Sequence, residues 1–305
     1  MKKGDFLKNL YPDYLKRFKC SSSACRHNCC IGWEIDIDEA TLDKYRRTGG
    51  ETGEKLKRCI AEDEDGAHFI LAEGERCPFL NQENLCELII SHGEDFLCDI
   101  CRAHPRFHNF FTDYTETGLG LCCEEAAKLI INNPETVEFI SEGECAPLPD
   151  DEKELLLMRD RMLDTARDET LTPAQIEAKI LLLANAKPLD LSAPKWADFI
   201  ETLEKLGDDR DGFVRALKKA ETLALPGTHE KSAEQLYVYF IFRHIADSLW
   251  DGLLSQRTAF CALAVRLIYT AYLNSQPRDL CGSARVFSSE TEYSFENLTA
   301  FLEIL

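Results

Sequence analysis

Four thiols fall within eleven residues in the stretch Cys20-Ser-Ser-Ser-Ala-Cys25-Arg-His-Asn-Cys29-Cys30-Ile-Gly-Trp33. Packing does not explain them, because a small free thiol adds little more to a core than an alanine does. Thiolates are soft ligands for zinc and for iron–sulfur clusters, and ligands a few residues apart let a loop wrap a metal. Cys77, Cys86, Cys98, Cys101, Cys122 and Cys123 follow. Residues 20–123 therefore read as one metal-binding framework with ten expected ligands, on which the rest of the chain is built. Cys59, Cys145, Cys261 and Cys281 stand alone and read as ordinary cysteines.

Spacing narrows the metal without settling it. Cys98-Asp-Ile-Cys101 is a two-residue knuckle that turns both sulfurs to one metal, the most specific local spacing in the chain. Structural zinc sites usually pair two such knuckles, and only one is present. The other thiols come from loops at gaps of four, three, eight and eleven residues. That dispersed set suits a four-cysteine cluster or two metal sites sharing the framework, so iron–sulfur and zinc both stand on spacing alone. The Cys-x-x-x-Cys-x-x-Cys pattern of radical enzymes is absent, since Cys30 directly follows Cys29.

The net charge of −19 argues against nucleic acid and a membrane surface as partners, because an acidic surface repels phosphate backbones and anionic lipid. It attracts a basic partner, such as a lysine-bearing protein, or simply keeps the chain in solution. The opening residues lack the apolar core of a secretory signal, and no run approaches about 18 apolar residues. The expected compartment is the reducing cytosol, where clustered cysteines hold metal and not disulfides.

The fold class read from the pattern is mainly α. Residues 1–145 form an irregular, cysteine-rich metal-binding domain with few short strands, and residues 146–305 form an α-helical bundle. The boundary is placed in the Pro- and Gly-rich, acidic segment 141–150. Residues 1–19 read as a lead-in segment. Short extended stretches are expected at 33–38, 67–71 and 114–121, a helix capped by Asp38, turns at 63–66 and 81–84, and a helix over 124–132. Gly49-Gly50-Glu-Thr-Gly53-Glu-Lys55 lacks the spacing of a phosphate loop and reads as a helix break. In the second half, Thr172-Pro173-Ala-Gln175 predicts a capping box opening a helix that runs through Leu183. Further helices are expected over 151–166, 194–206, 210–223, 233–251 and 257–274, with a single last helix over 288–305.

Several side chains carry two readings. His104 is a ligand, a proton carrier or a donor to a ligand, against a loop cap. Arg106 offers a planar fork for a carboxylate, against pairing with a local acid. Trp33 covers the metal or fills a core. Gln235-Leu-Tyr-Val-Tyr-Phe-Ile-Phe-Arg-His is apolar on nearly every face and belongs at the centre of its domain. Arg243 within it needs an acid or an anionic ligand, and Tyr237 and Tyr239 line a pocket or pack as core. No Gly-x-Gly-x-x-Gly marks a dinucleotide site, Gly118-Leu-Gly120 being too short.

Together these residues resemble a known family. Tyr11-Pro-Asp-Tyr, Phe18-Lys-Cys20-x4-Cys25-x3-Cys29-Cys30-x-Gly-Trp33, Arg76-Cys-Pro-Phe-Leu80, Cys98-x-x-Cys101, Pro105-Arg106-Phe107, Cys123-x-x-Ala-Ala127, Tyr239-Phe-Ile-Phe-Arg243 and Asp251-Gly252 are similar to the flagellin lysine-N-methylases. A wider cysteine-cluster family, zinc- or iron-chelating, shares the N-terminal part. The resemblance implies methyl transfer from S-adenosylmethionine to lysines of flagellin by a protein carrying an iron–sulfur cluster, of the 4Fe–4S kind, with zinc as the alternative. It leaves open whether the cluster binds the cofactor, moves electrons or holds the fold. The expected cofactor contacts are Arg106 and Arg243, and the catalytic candidates are Tyr237, Tyr239 and His104. Two other classes stand beside this one: a non-catalytic zinc-stabilised protein-binding module, and an iron–sulfur electron-transfer protein.

Overall fold

The computed structural model describes residues 8–64, 66–144 and 146–305. Asp65 of the expected 63–66 turn, Cys145 and the start of the lead-in lie outside the described residues. The chain is mainly α, as its pattern predicts. The strands are β1 (Lys8–Pro12), β2 (Asp36–Ile37), β3 (Ile60–Glu62), β4 (Ala67–Phe69), β5 (Arg106–Phe110), β6 (Tyr114–Leu119) and β7 (Phe139–Glu142).

Two compact units result, one made of the residues up to Lys19 together with Arg106–Leu305, the other of Cys20–Pro105. The expected boundary at 145/146 is thus replaced by cuts at 19/20 and 105/106. The physical reason is strand pairing. The lead-in is tied down by its β1, which lies parallel to β6 and antiparallel to β7 in a four-stranded sheet ordered β5-β6-β1-β7. That sheet draws residues 106–144 into the helical unit.

Around the sheet the helical unit is built on Lys231–His244 and Leu254–Asn274. Both are apolar on nearly all faces and bury nearly all round, as central helices must. The capping box at Thr172 forms as its residues dictate: Thr172 Oγ1 accepts from Gln175 N, and Gln175 Oε1 accepts from Thr172 N at 2.9 Å. Such a cap contributes about 1 kcal/mol. The expected single helix over 288–305 is instead two, Leu280–Thr291 and Phe295–Ile304. Ser294 starts the second by accepting from Asn297 N at 3.1 Å, so the chain breaks at Glu292 and Tyr293. The expected helix 233–251 likewise ends at His244, with a short turn of helix at Ser248–Asp251.

Buried ion pairs tie these layers together. Arg159 grips Glu116 of β6 with two bonds of 2.5 and 2.6 Å, and Arg266 pairs with Glu177. Asn109 of β5 donates to Glu116 and to the Phe242 carbonyl, joining sheet to central helix. Gly118 pairs with Phe107 across the β5–β6 hairpin, and a Cβ there would stand 2.2 Å from the Phe107 ring.

The small unit has a three-stranded sheet, β2-β4-β3. Asp38 caps helix Glu39–Arg47 by accepting from Thr41 N at 2.9 Å. The expected helix break falls at Thr48 and Gly49, between Glu39–Arg47 and Gly50–Cys59, and the rest of the Gly-rich stretch is helical. Glu87–His92 and Asp99–Ala103 are short helices that each start directly after a cysteine, Cys86 and Cys98. The core holds Ile35, Tyr45, Leu56, Phe69, Phe79 and Leu88. Among the described residues no helix is long and apolar enough to cross a membrane.

Gly118→Ala is expected to push the Phe107 ring off the hairpin and to lower the unfolding free energy by about 1–3 kcal/mol. Chemical denaturation followed by circular dichroism measures this, and an unchanged midpoint would show that the ring contact is dispensable.

Candidate functional site

In the small unit, which carries eight of the ten expected cysteine ligands, the fold gathers five around one core. Cys98 is wholly buried and Cys77 nearly so, and Cys30, Cys86 and Cys101 pack against the same core. The local structure explains the convergence. Cys77 N donates to the Cys30 carbonyl at 2.8 Å, which holds the 30s loop to the 70s loop. The turn at Asn81–Asn84 then folds Leu80 against Cys86, as its composition predicts.

Two thiol pairs form. Cys29 and Cys30 hydrogen-bond each other, which lowers Cys29 to about 7 and pushes Cys30 up. Cys98 and Cys101 do the same, Cys98 falling and Cys101 rising. In each pair one thiol is thus shifted toward the thiolate, the form that binds metal. Burial lifts Cys77 to about 11 and also raises Cys86.

Cys20 and Cys25 engage locally: the Cys20 sulfur accepts from Ser22 N, and the Cys25 thiol donates to the His27 carbonyl. Cys122 and Cys123 belong to the helical unit. Burial pushes the Cys122 thiol up to about 12, against a hydrogen bond with Tyr293 and the charge of Arg243.

Two neighbours of the thiols were not legible in the sequence. Cys59, set aside as ordinary, packs against the same core and acts on Cys77. Tyr45 has a buried hydroxyl without a hydrogen-bond partner, and burial together with Cys98, Cys101 and Cys86 holds it protonated. Neither carries a spacing signal. Trp33 donates from Nε1 to the Cys29 carbonyl at 2.5 Å and lies 6.1 Å from the His104 ring, so it roofs the first thiol loop. His104 follows the helix Asp99–Ala103, and burial lowers it to about 4, which makes it neutral and a weak base.

The helical unit contains a second polar cluster, centred on Glu292. Its side chain is fully enclosed. Oε2 accepts from Tyr239 Oη at 2.8 Å, while Oε1 lies 2.6 Å from His244 Nε2 and 3.2 Å from Arg243 Nε. Arg243 Nη1 also donates to Tyr239 Oη at 2.7 Å, and Leu121 N donates to that same oxygen. The guanidinium lies between the rings of Phe107, at 4.8 Å, and Tyr293, at 5.1 Å. Burial alone would raise Glu292, yet Arg243 and His244 hold it below the ordinary carboxylate range. Burial keeps His244 below its ordinary value despite Glu292.

Of the residues expected to meet a cofactor or substrate, Arg243 is thus neutralised inside its own unit, and Tyr239 is committed to the same network. Tyr237 is fully buried and donates to the Pro173 carbonyl. Arg106 begins β5 and lies over the Phe18 ring at 5.6 Å.

Comparison with known proteins bears on this arrangement. A lysine-N-methylase of Salmonella typhimurium is 33% identical over 140 residues, covering 41% of this chain and 33% of that protein. One of Salmonella choleraesuis is 31% identical over the same length. Over part of its length, then, the chain is similar to lysine-N-methylases. A flagellar biosynthetic protein FliU of Salmonella muenchen is 29% identical over 136 residues, or 78% of its length. The chain spans about a third of the length of the two curated lysine-N-methylases it matches. No family model and no solved structure matches.

The Glu292 network has a measurable pH signature. His244 and Glu292 both titrate lower in the fold than in the unfolded chain, so unfolding takes up protons as pH falls. Stability is full above the ordinary histidine value of about 6.5 and is lost in two steps, first through His244 and then, below about 4.5, through Glu292. The denaturation midpoint of the helical unit should fall between about pH 7 and pH 5, and His244→Gln should flatten that slope. A slope identical in the variant would remove His244 from the account.

Proposed function

We propose that the chain takes part in protein-lysine N-methylation in the cytosol, moving a methyl group from S-adenosylmethionine to lysine amines of flagellin. The cysteines of the small unit hold an iron–sulfur cluster. The observation that carries the reading is the identity with two lysine-N-methylases, and the FliU relative supports a flagellar substrate.

The donor set suits such a cluster. The small unit carries eight of the ten expected thiols, and in each of two pairs one thiol is shifted down, which covers the four ligands that one cluster needs. A single tetrahedral zinc with Zn–S near 2.3 Å would bring its sulfurs to about 3.8 Å from one another. When bound, such a cluster would supply an electron-transfer centre or a cross-link between the thiol-bearing loops.

The chain's own part in the reaction is binding and proton removal. A neutral lysine amine is already nucleophilic, so the protein must deprotonate and aim it. The net charge of −19 favours capture of a cationic side chain. Tyr239 and Tyr237 are too firmly held protonated to serve as the base.

Anaerobic purification with iron, sulfide and zinc analysis, followed by incubation with flagellin and methyl-labelled S-adenosylmethionine, tests both halves. Labelled lysine with bound iron and sulfide is expected. A folded, loaded protein that gives no label sinks the methylase reading, and zinc without sulfide sinks the cluster. Cys98→Ser and Cys101→Ser should each remove most of the bound metal, whereas Cys281→Ser in the helical unit should leave it unchanged.

A further inference from the structure

Among the described residues, the helical unit holds a convergent set of metal-type donors that nothing above uses: Glu169, His229 and Glu234. One ligand atom from each lies within 4.8 Å of the others. Glu169 stands in the turn before helix Pro173–Leu183, His229 just before helix Lys231–His244, and Glu234 in that helix's first turn.

Three unsatisfied atoms mark the place. Both ring nitrogens of His229 are buried without a hydrogen-bond partner, and so is Oε1 of Glu234, whose side chain is fully enclosed. Buried polar atoms are nearly always satisfied, so these require a bonding partner. His229 Nε2 is 3.4 Å from Glu234 Oε2. Donors about 2.0–2.2 Å from a tetrahedral ion stand about 3.2–3.6 Å apart, which that pair matches.

The present cation in this corner is Lys231. Its Nζ donates to Glu234 Oε2 at 2.8 Å, Glu169 Oε1 at 3.0 Å and Thr136 Oγ1 at 3.1 Å. That ammonium bridges the two carboxylates but leaves both imidazole nitrogens and Glu234 Oε1 unused. Arg167 is a further cation whose charge reaches Glu234, which weakens any competing ion.

We propose that Glu169, His229 and Glu234 form a site for a divalent transition-metal ion bound through nitrogen and oxygen, with Lys231 as the internal cation that competes for it. When the metal enters, the ammonium releases the carboxylates and turns to solvent. The site shares no residue with the cysteine framework and does not rest on the methylase reading.

Titration with Mn2+, followed by the electron paramagnetic resonance of the free ion, isolates this site, because manganese prefers carboxylate donors to thiolates. Lys231→Met should bind one Mn2+ at least about tenfold tighter than the wild type. Adding His229→Gln to Lys231→Met should abolish the gain. Identical titration curves for the three proteins would overturn the proposal and leave an ordinary ion pair. Circular dichroism reports folding. If Lys231→Met does not fold, His229→Gln alone decides, since that side chain is partly exposed and its loss should weaken Mn2+ binding. Unchanged binding in that variant would overturn the proposal equally.

Discussion

A carboxylate taken out of water costs several kcal/mol unless the protein surrounds it with donors, and Glu292 is fully enclosed. Its three partners, Tyr239, Arg243 and His244, all come from one helix, the first two spaced one turn apart. The central helix and the break before Phe295–Ile304 are therefore bound to each other by charge as well as by apolar contact. The consequence travels further. Arg243 lies on the face of Phe107, Phe107 lies on Gly118, and Gly118 belongs to the strand that carries Glu116. Glu116 in turn holds Arg159 of helix Asp150–Ala166. One buried negative charge thus sets the register between bundle and sheet. It also explains why Arg243, which by type suits an incoming carboxylate, is already occupied.

What was legible in the sequence was local. The Thr172 capping box and the Asp38 cap involve residues three apart, so their chemistry is complete within a few positions. The central helix declared itself by being apolar on nearly every face. The break at Glu292 did not, although Ser294 with Glu296 two residues on is a helix-start signal, because helix-forming residues flank it on both sides. The sheet was hidden for a different reason: β1 finds its partners more than a hundred residues away. Segment 141–150 has the composition of a linker, yet the strand just before it pairs with β1, so composition misplaced the boundary.

The metal framework shows the same division. Spacing identified thiols suited to metal, but only folding decides which meet. Cys122 and Cys123 follow the knuckle closely in sequence and nevertheless belong to the helical unit, where Cys122 bonds Tyr293. Cys59, with no cysteine near it in sequence, packs against the thiol-bearing core. Glu169 and Glu234 are separated by three helices, and no short pattern links them.

The cysteine unit is a sequence excursion from a unit that begins before it and resumes after it. On a ribosome this matters. Strand β1 emerges before its partners and has none until β6 follows, about 5–20 seconds later at ordinary elongation rates. During that interval all of 20–105 has been made and can close on itself. The two ends of the excursion are held near each other, since Arg106 lies over Phe18. A nascent chain that captures its metal promptly would therefore present a finished inner unit to an outer one still waiting for its strands, and a delay in metal supply would leave β1 exposed alongside an open thiol loop.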